Sequence, residues 1–203
     1  KRGECMAQPK KKTSVGGTIV CIALAAAVIV GIYMSVTRNK QKNAIEADAD
    51  VTEATTLIAR DLDKDYPATV REVMKYYCRI TKCLYSDDVS ESQLTRLVDK
   101  LRGLYTDELL GKNDRTEMIG LIKTEIKNYE KAGRTIQSYN VAESGEITYY
   151  RNETPQRAVI NIYFTLKQND KDSPFARAYE EFVLVQDENA RWKIMGWRLS
   201  EDQ

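Results

Sequence analysis

The hydrophobic positions divide the chain into an apolar stretch, a helical region and a strand region. Residues 16–36 carry no charged side chain. A helix of that length spans about 31 Å, which matches the hydrocarbon thickness of a bilayer. A buried core helix would normally show a polar stripe, and this stretch has none. We therefore expect a transmembrane helix at 16–36, preceded by a basic cytoplasmic tail at 1–15.

A cleaved signal peptide is the main alternative for this stretch, because a basic start and an apolar centre suit one. No small-x-small site for signal peptidase is present at residues 34–36, where the apolar run ends, which favours an uncleaved signal anchor. Five basic residues precede the span and three follow it closely. This bias predicts a single-pass protein of the cell membrane, with a cytoplasmic N-terminus and an extracytoplasmic C-terminal domain.

Apolar residues recur at helical spacing from residue 37 to about residue 133. The apolar stripe is thin over 37–66, which predicts a juxtamembrane helical stalk that packs weakly or against a partner. A domain is expected to begin at residue 67, where Pro67 suits the first turn of a helix after a cap at Asp65 or Tyr66. Turn and cap residues predict three helices in this domain, at about 67–85, 90–111 and 114–133.

Short β-rich runs separated by turn residues follow Arg134. The predicted strands cover about 135–141, 147–151, 156–167, 175–186 and 191–200. Short polar loops join the last three strands, which indicates an antiparallel meander. Helices followed by strands predict an α+β domain at 67–203, with three helices packed on one face of a curved antiparallel sheet.

The absence of histidine from all 203 residues excludes several kinds of chemistry. Ser–His and Cys–His nucleophile pairs are impossible, and the commonest zinc-ligating nitrogen is missing. No other catalytic or cofactor motif stands out. We therefore expect that the chain is not an enzyme and that it binds neither a cofactor nor a metal.

Charge is distributed unevenly along the chain. The first 42 residues hold eight basic side chains and one acidic side chain, whereas the rest hold 23 basic and 29 acidic side chains. The basic flanks of the apolar stretch suit anionic lipid headgroups. The acidic body repels phosphate backbones, which disfavours nucleic-acid binding. The expected partners are the lipid bilayer, through residues 16–36, and a protein whose identity the sequence does not give.

Four acidic residues have the spacing of a calcium-binding loop. Asp61, Asp63, Asp65 and Glu72 fall at positions 1, 3, 5 and 12 of such a loop. Position 6 is Tyr66, where the loop needs glycine for its turn. The spacing therefore favours a helix end that carries solvated acids over a calcium site.

Two cysteines lie five positions apart on the first predicted helix of the domain. Cys78 and Cys83 would be separated by about 140° around the helix axis and about 7.5 Å along it. That geometry is poor for a disulfide, which needs Cα atoms within about 7 Å of each other. We expect two buried thiols.

A polar face along the third predicted strand supplies the candidate site. Asn161, Tyr163 and Thr165 alternate with apolar residues. Glu180, Glu181, Trp197 and Arg198 are expected on neighbouring strands. One interpretation is a small-molecule pocket with one acid and one base. The other is a half-exposed sheet face with a cross-strand ion pair. The candidate pocket residues are Asn161, Tyr163, Glu181, Trp197 and Arg198.

The order of elements and the last strand resemble the nuclear transport factor 2-like superfamily. Three helices precede a long antiparallel meander, and the last strand begins Arg191-Trp192-Lys193-Ile194 after the acidic turn at 187–189. The resemblance implies a bent sheet wrapped around helices as a cone over residues 67–203. Some members are enzymes with Asp and His in the cone. Others sit behind one membrane helix and help to assemble secretion or conjugation machinery.

The chain as a whole, including residues 63–67 and 76–78, is similar to a membrane-anchored family of Gram-positive anaerobes, from which no activity carries over. The leading hypothesis is therefore a membrane-anchored, non-catalytic interaction or scaffold module. One alternative is a bitopic assembly factor of a secretion or conjugation system. The other is a small-molecule-binding or enzymatic cone domain.

Overall fold

The computed structural model describes residues 52–86 and 88–200, which form an α+β domain as the sequence predicts. The segments expected to be the basic tail, the transmembrane helix and the first part of the stalk lie outside the described residues. The helices are α1 (Glu53–Ala59), α2 (Val70–Ser86), α3 (Glu91–Arg102), α4 (Asp107–Lys112) and α5 (Arg115–Lys131). The strands are β1 (Thr135–Val141), β2 (Thr148–Tyr150), β3 (Arg157–Lys167), β4 (Phe175–Gln186) and β5 (Trp192–Leu199).

Helix α1 is short and well packed, in contrast to the long, weakly packed stalk expected for 37–66. Thr52 caps its first turn by accepting a hydrogen bond from the Thr55 N–H. Ala54, Leu57 and Ile58 are buried, and the helix packs on α3 and α2. The described part of the predicted stalk therefore contributes to the same hydrophobic core as the domain that follows it.

The linker between α1 and α2 is fastened to the sheet by Tyr66. Its hydroxyl donates to the Trp192 carbonyl oxygen at 2.8 Å. The Arg191 guanidinium and the Lys193 ammonium lie over its ring, at 5.3 and 4.6 Å from the ring centroid. Such cation–π contacts add to the apolar burial of the ring. The linker is thus held at the start of β5.

Helix α2 is the central helix of the domain. It begins at Val70 rather than at Pro67, and the caps expected at Asp65 and Tyr66 are wrong. Glu72 instead accepts hydrogen bonds from the backbone N–H groups of residues 68 and 69. Apolar residues at spacings of three and four make one face fully buried. These residues are Val70, Val73, Met74, Tyr77, Ile80 and Leu84.

The single helix predicted at 90–111 is two helices, α3 and α4. Ser90 and Gln93 form a capping box that starts α3, and Thr106 caps α4. The connector between them pairs with β5, because Ile194 N–H donates to Leu104 O at 2.8 Å and Thr106 N–H donates to Ile194 O at 3.0 Å. These hydrogen bonds to β5 replace the intrahelical hydrogen bonds that would continue α3. The periodicity of apolar residues along the sequence cannot reveal such a replacement.

The sheet is antiparallel with strand order β1-β3-β4-β5, and β2 pairs with β3 beside β1. The last three strands form the predicted meander. The first three do not, because β1 pairs directly with β3. Bulges interrupt the register between Ile136 and Ser138 and between Val183 and Leu184. Bulges bend and twist a strand, which helps the sheet to curve.

The core lies between the helices and one face of the sheet, which we call the helix-facing face. Its strand residues are almost fully buried. They include Ala158, Ile160, Ile162, Phe164, Leu166, Phe182, Leu184 and Ile194. Cys78 and Cys83 are buried in this core and form no disulfide, which confirms the expectation.

Candidate functional site

The opposite face of the sheet, which we call the outer face, is the first candidate site. It consists of the alternate residues of β3 and β4, which are half-buried or exposed. Cross-strand partners place Asn161 beside Glu181, Tyr163 beside Tyr179 and Thr165 beside Arg177. The strands therefore present a row of polar and aromatic side chains away from the core.

A groove of about 840 Å³ opens at one end of the outer face. The β1 bulge after Ile136 shapes one wall, and the first residues of β4 form the other. Phe175 is 52% exposed, an unusual position for a large apolar side chain. The groove is lined by Gln137, Ser138, Thr165, Phe175, Ala176, Arg177 and Tyr179.

The aromatic side chains beside this groove form an ordered set. The rings of Tyr163 and Tyr179 lie with centroids 5.3 Å apart. The Arg177 guanidinium lies 5.1 Å from the Tyr163 ring centroid and donates a hydrogen bond to the Tyr179 hydroxyl at 3.2 Å. Aromatic rings and arginine are the residue types enriched at protein interfaces. The arrangement can bind a polar and aromatic surface.

The structure brings together four of the five predicted pocket residues. Asn161, Tyr163, Glu181 and Arg198 all lie on the outer face. Glu181 and Arg198 are cross-strand neighbours, with the carboxylate and guanidinium 2.7 Å apart. The acid and the base are therefore bonded to each other in a half-exposed ion pair.

Trp197 does not join the other four. Its cross-strand partner is Phe182, and both side chains lie on the helix-facing face. Their rings are stacked, with centroids 5.4 Å apart. Tyr77 of α2 packs against both rings. Trp197 is thus a packing residue, and its inclusion in the predicted pocket is wrong.

A pair of carboxyl groups on the core side, buried Glu180 and half-buried Glu125, is the second candidate site. Glu180 of β4 is 8% exposed, and its Oε2 atom is buried without a hydrogen-bond partner. Glu125 of α5 accepts a hydrogen bond from the Tyr85 hydroxyl at 2.6 Å. Burial raises the pKa of Glu125 to about 7. Burial and the nearby Glu125 raise the pKa of Glu180 to about 7 as well.

Near neutral pH each of these two carboxyl groups is present in both its protonated and its ionised form, whereas ordinary surface carboxyl groups are almost fully ionised. The tyrosines around them remain protonated, because burial raises the pKa of Tyr77, Tyr85 and Tyr105. Burial also raises the pKa of the Cys78 thiol, which keeps that group unreactive.

Three of the four acids with calcium-loop spacing are engaged within the protein by their side chains. Asp61 binds Lys64, Asp65 binds Arg60, and Glu72 accepts two backbone hydrogen bonds. Over residues 52–86 and 88–200, no group of three or more acidic or cysteine side chains is arranged to hold a metal ion. In the same part of the chain, no helix has both the length and the apolar character needed to cross a membrane.

A family model described as "Domain of unknown function (DUF6715)" matches residues 6–197. The chain belongs to the DUF6715 family. The match includes the predicted membrane segment as well as nearly all of the described domain.

The solved structure of the intermembrane space region of the chloroplast protein ARC6 is similar to 68% of this DUF6715 chain and to 98% of its own chain. The two share 9% sequence identity with a TM-score of 0.36, and nothing about function follows from that likeness. No curated protein matches the sequence significantly.

Sequence reasoning missed several residues of both candidate sites. Arg177 and Tyr179 share the alternation that places Glu181 on the outer face, so that pattern was a usable signal for them. Gln137 and Ser138 reach the groove through a bulge that leaves no sequence signal. Glu125 lies on a helix far from β4 in sequence, so only the fold brings it to Glu180.

Proposed function

We propose that this DUF6715 chain is a membrane-anchored, non-catalytic interaction module that binds a protein partner through the outer face of its sheet. The observation that carries the proposal is the groove beside Tyr179, which no described helix covers. The helix-facing face of the sheet packs in the core and stabilises the fold. The outer face is available to bind a partner.

The character of the outer face supports a protein partner. It combines an exposed phenylalanine, a tyrosine pair and an arginine, and the charges of Glu181 and Arg198 on it neutralise each other. Aromatic anchors within a polar rim are typical of transient protein interfaces. The acidic body of the chain argues against a nucleic-acid partner.

Site-specific photocrosslinking in native membranes tests this proposal. A photoreactive amino acid replaces Phe175, and a matched variant carries it at Leu121 of α5. Phe175 and Leu121 are 52% and 51% exposed, so the two probes differ in location and not in exposure. We expect a discrete protein adduct from position 175 only. Equal adducts from both positions, or none from position 175, would contradict the proposal.

The membrane anchor is a separate part of the proposal. It is supported by the uncharged segment 16–36, its basic flanks and the greater number of basic residues before it. The chain should stay in the membrane pellet after alkaline carbonate extraction, and deletion of residues 16–36 should release it.

The orientation of the domain has its own test. A cysteine introduced at exposed Tyr150 should react with an impermeant maleimide on intact cells if the domain is extracytoplasmic.

The nuclear transport factor 2-like cone is the arrangement that we propose for the domain. An antiparallel sheet that is bent by two bulges and packed around α2 supports it. Within that superfamily, an assembly factor of a secretion or conjugation system is the more specific form of the same interaction role. Recovery of secretion or conjugation components as the crosslinked partner would support this form.

A small-molecule-binding or enzymatic cone is the second candidate function. One observation favours it, namely the buried Glu180 carboxyl group, whose pKa lies near 7 beside several tyrosines. A buried group with a shifted pKa is a common feature of ligand sites. A thermal-shift screen of small molecules tests this candidate, with Glu180→Gln as the matched variant. Hits that shift both proteins equally would not involve this site.

A further inference from the structure

The buried carboxyl group of Glu180 and the half-buried one of Glu125 belong to elements that are far apart in the sequence. Glu180 lies in β4 on the helix-facing face, and its Oε2 atom has no hydrogen-bond partner. Glu125 lies in α5 and is bonded to the Tyr85 hydroxyl of α2. Among the described residues, no lysine or arginine forms a salt bridge with either carboxyl group. Their burial therefore favours the protonated, neutral form of each carboxyl group.

The second half of α5 is attached to the core less firmly than the first. The residues of α5 that are fully buried, Met118 and Ile122, both lie in its first half. Residues 123–131 are held by the Tyr85–Glu125 hydrogen bond, by the Tyr85 and Tyr129 rings at 4.9 Å, by half-buried Ile126 and by a surface ion pair from Lys123 to Glu91. One of these few attachments is made by the half-buried carboxyl group of Glu125.

The groups that surround the pair supply no compensating positive charge. From α2, Tyr77, Cys78 and Tyr85 face Glu180, and from the connector after α3, Tyr105 does the same. From α5, Tyr129 faces both carboxyl groups. Burial raises the pKa of every one of these side chains, so all stay neutral when the carboxyl groups ionise.

Arg102 lies near Tyr105 of this cluster, and a second cation, Arg134, contacts Tyr129. The Arg134 guanidinium lies 5.7 Å from the Tyr129 ring centroid, and its Nη2 donates to Gln168. The Tyr85 hydrogen bond favours the ionised form of Glu125, but burial outweighs it, and the pKa stays near 7. The balance therefore favours a neutral pair below neutral pH and an unfavourable charged pair above it.

We propose that the second half of α5, residues 123–131, detaches from the core when Glu125 and Glu180 both lose their protons. Two negative charges in this apolar environment repel each other and lack hydration. Movement of the helix end lets water reach both carboxylates and relieves that cost. The same movement uncovers the tyrosine-rich interior around Glu180. The domain thus carries a pH-sensitive lid, closed under mildly acidic conditions and open under mildly alkaline ones.

Hydrogen exchange measured by mass spectrometry on the full chain in detergent, at pH 5.5 and pH 8.5, tests the lid. After correction for the intrinsic pH dependence of exchange, protection of residues 123–131 should fall at least tenfold at pH 8.5. Residues 115–122 of the same helix should lose clearly less protection, because only the lower stability of the whole domain affects them. Equal protection of 123–131 at both pH values, or an equal loss across the whole domain, would overturn the proposal.

Variants separate the carboxyl pair from other sources of pH dependence. Glu125→Gln combined with Glu180→Gln should keep 123–131 protected at both pH values. Glu181→Gln is the matched control, because that residue is next in the strand but lies on the outer face, and it should behave as the parent chain. If the double variant does not fold, Glu125→Gln alone keeps an acceptor for Tyr85 and should reduce the loss of protection. A loss as large as that of the parent chain would refute the proposal.

Discussion

The Trp197 indole stacks on the Phe182 ring across β4 and β5, with ring centroids 5.4 Å apart and planes inclined by 15°. Tyr77 of α2 meets the Phe182 ring edge-on at 5.0 Å. These three rings join the central helix to the two last strands. Replacement of Trp197 by alanine would leave a cavity between these packed rings. We therefore expect the free energy of unfolding to fall by about 3 kcal/mol. Urea unfolding followed by circular dichroism measures this loss.

Arg198→Ala is the control for the Trp197 variant. Arg198 is the next residue of β5, but its side chain points to the outer face, where it pairs with Glu181. Exposed ion pairs contribute little, so the free energy of unfolding should change by less than about 1 kcal/mol. Similar losses in the two variants would show that the indole does not hold the core in this way.

The positions of the strands were accessible from the sequence, because β-rich runs and turn residues are local signals. Thr135–Val141 and Phe175–Gln186 agree with the predicted strands to the residue. The face of the sheet on which each side chain lies was only partly predicted. Trp197 and Arg198 are adjacent in one strand, so the alternation of side chains forbids that both face one pocket. The register that shows which of them faces outward is a property of the folded sheet.

Helix bounds were predicted less well, because tertiary contacts decide them. The break between α3 and α4 exists because Leu104 and Thr106 pair with Ile194, which lies 88 residues or more further along the chain. Helix α2 starts after Thr69, where the Glu72 carboxylate and the Thr69 hydroxyl accept backbone hydrogen bonds. The carboxyl pair was likewise invisible, because Glu125 lies on a helix whose partners only the fold defines.

The stability of the domain should fall as pH rises from about 4.5 to about 7. The pKa of Glu125 and of Glu180 rises from 4.5 in the unfolded chain to about 7 in the folded one. The folded state therefore binds more protons than the unfolded state in this window, and the free energy of unfolding decreases as pH increases. Each group contributes up to about 3 kcal/mol to this decrease. Urea unfolding at pH 5 and pH 7.5 measures it.

Glu180→Gln should remove about half of that pH dependence, because one of the two groups no longer titrates. Glu181→Gln should leave it unchanged, since that side chain is ion-paired on the outer face. An unaltered slope in the Glu180 variant would mean that this carboxyl group is not the one that responds to pH.

A side chain at Gly133 should destabilise the domain, because the φ angle of this residue is +59° just after α5. A Cβ atom there would lie 2.1 Å from Asn169 Nδ2. The amide of Asn169 can move, so the left-handed backbone supplies most of the cost. Gly133→Ala should lower the free energy of unfolding by about 1–2 kcal/mol. Thermal unfolding of the two proteins, compared at one pH, measures the difference.

Gly120→Ala is the matched control for Gly133→Ala. Gly120 lies inside α5, where a Cβ atom would meet nothing within 4 Å. Alanine has the higher helix propensity, so this variant should be more stable by about 0.5–1 kcal/mol. A loss of stability there would show that the helix surface at this point contacts something outside the described fold.

The start of α5 should depend on the Asp114 side chain. Its Oδ1 accepts hydrogen bonds from the backbone N–H groups of Thr116 at 2.8 Å and Glu117 at 3.0 Å. These bonds lower the pKa of Asp114, so its contribution is present at neutral pH and is lost as pH falls below 3.8. Asp114→Ala should lower the free energy of unfolding at pH 7, whereas Asp114→Asn should retain most of the stability, because the amide oxygen still accepts both bonds. Hydrogen exchange in residues 115–118 locates the effect, and an equal loss in both variants would mean that charge, rather than capping, starts the helix.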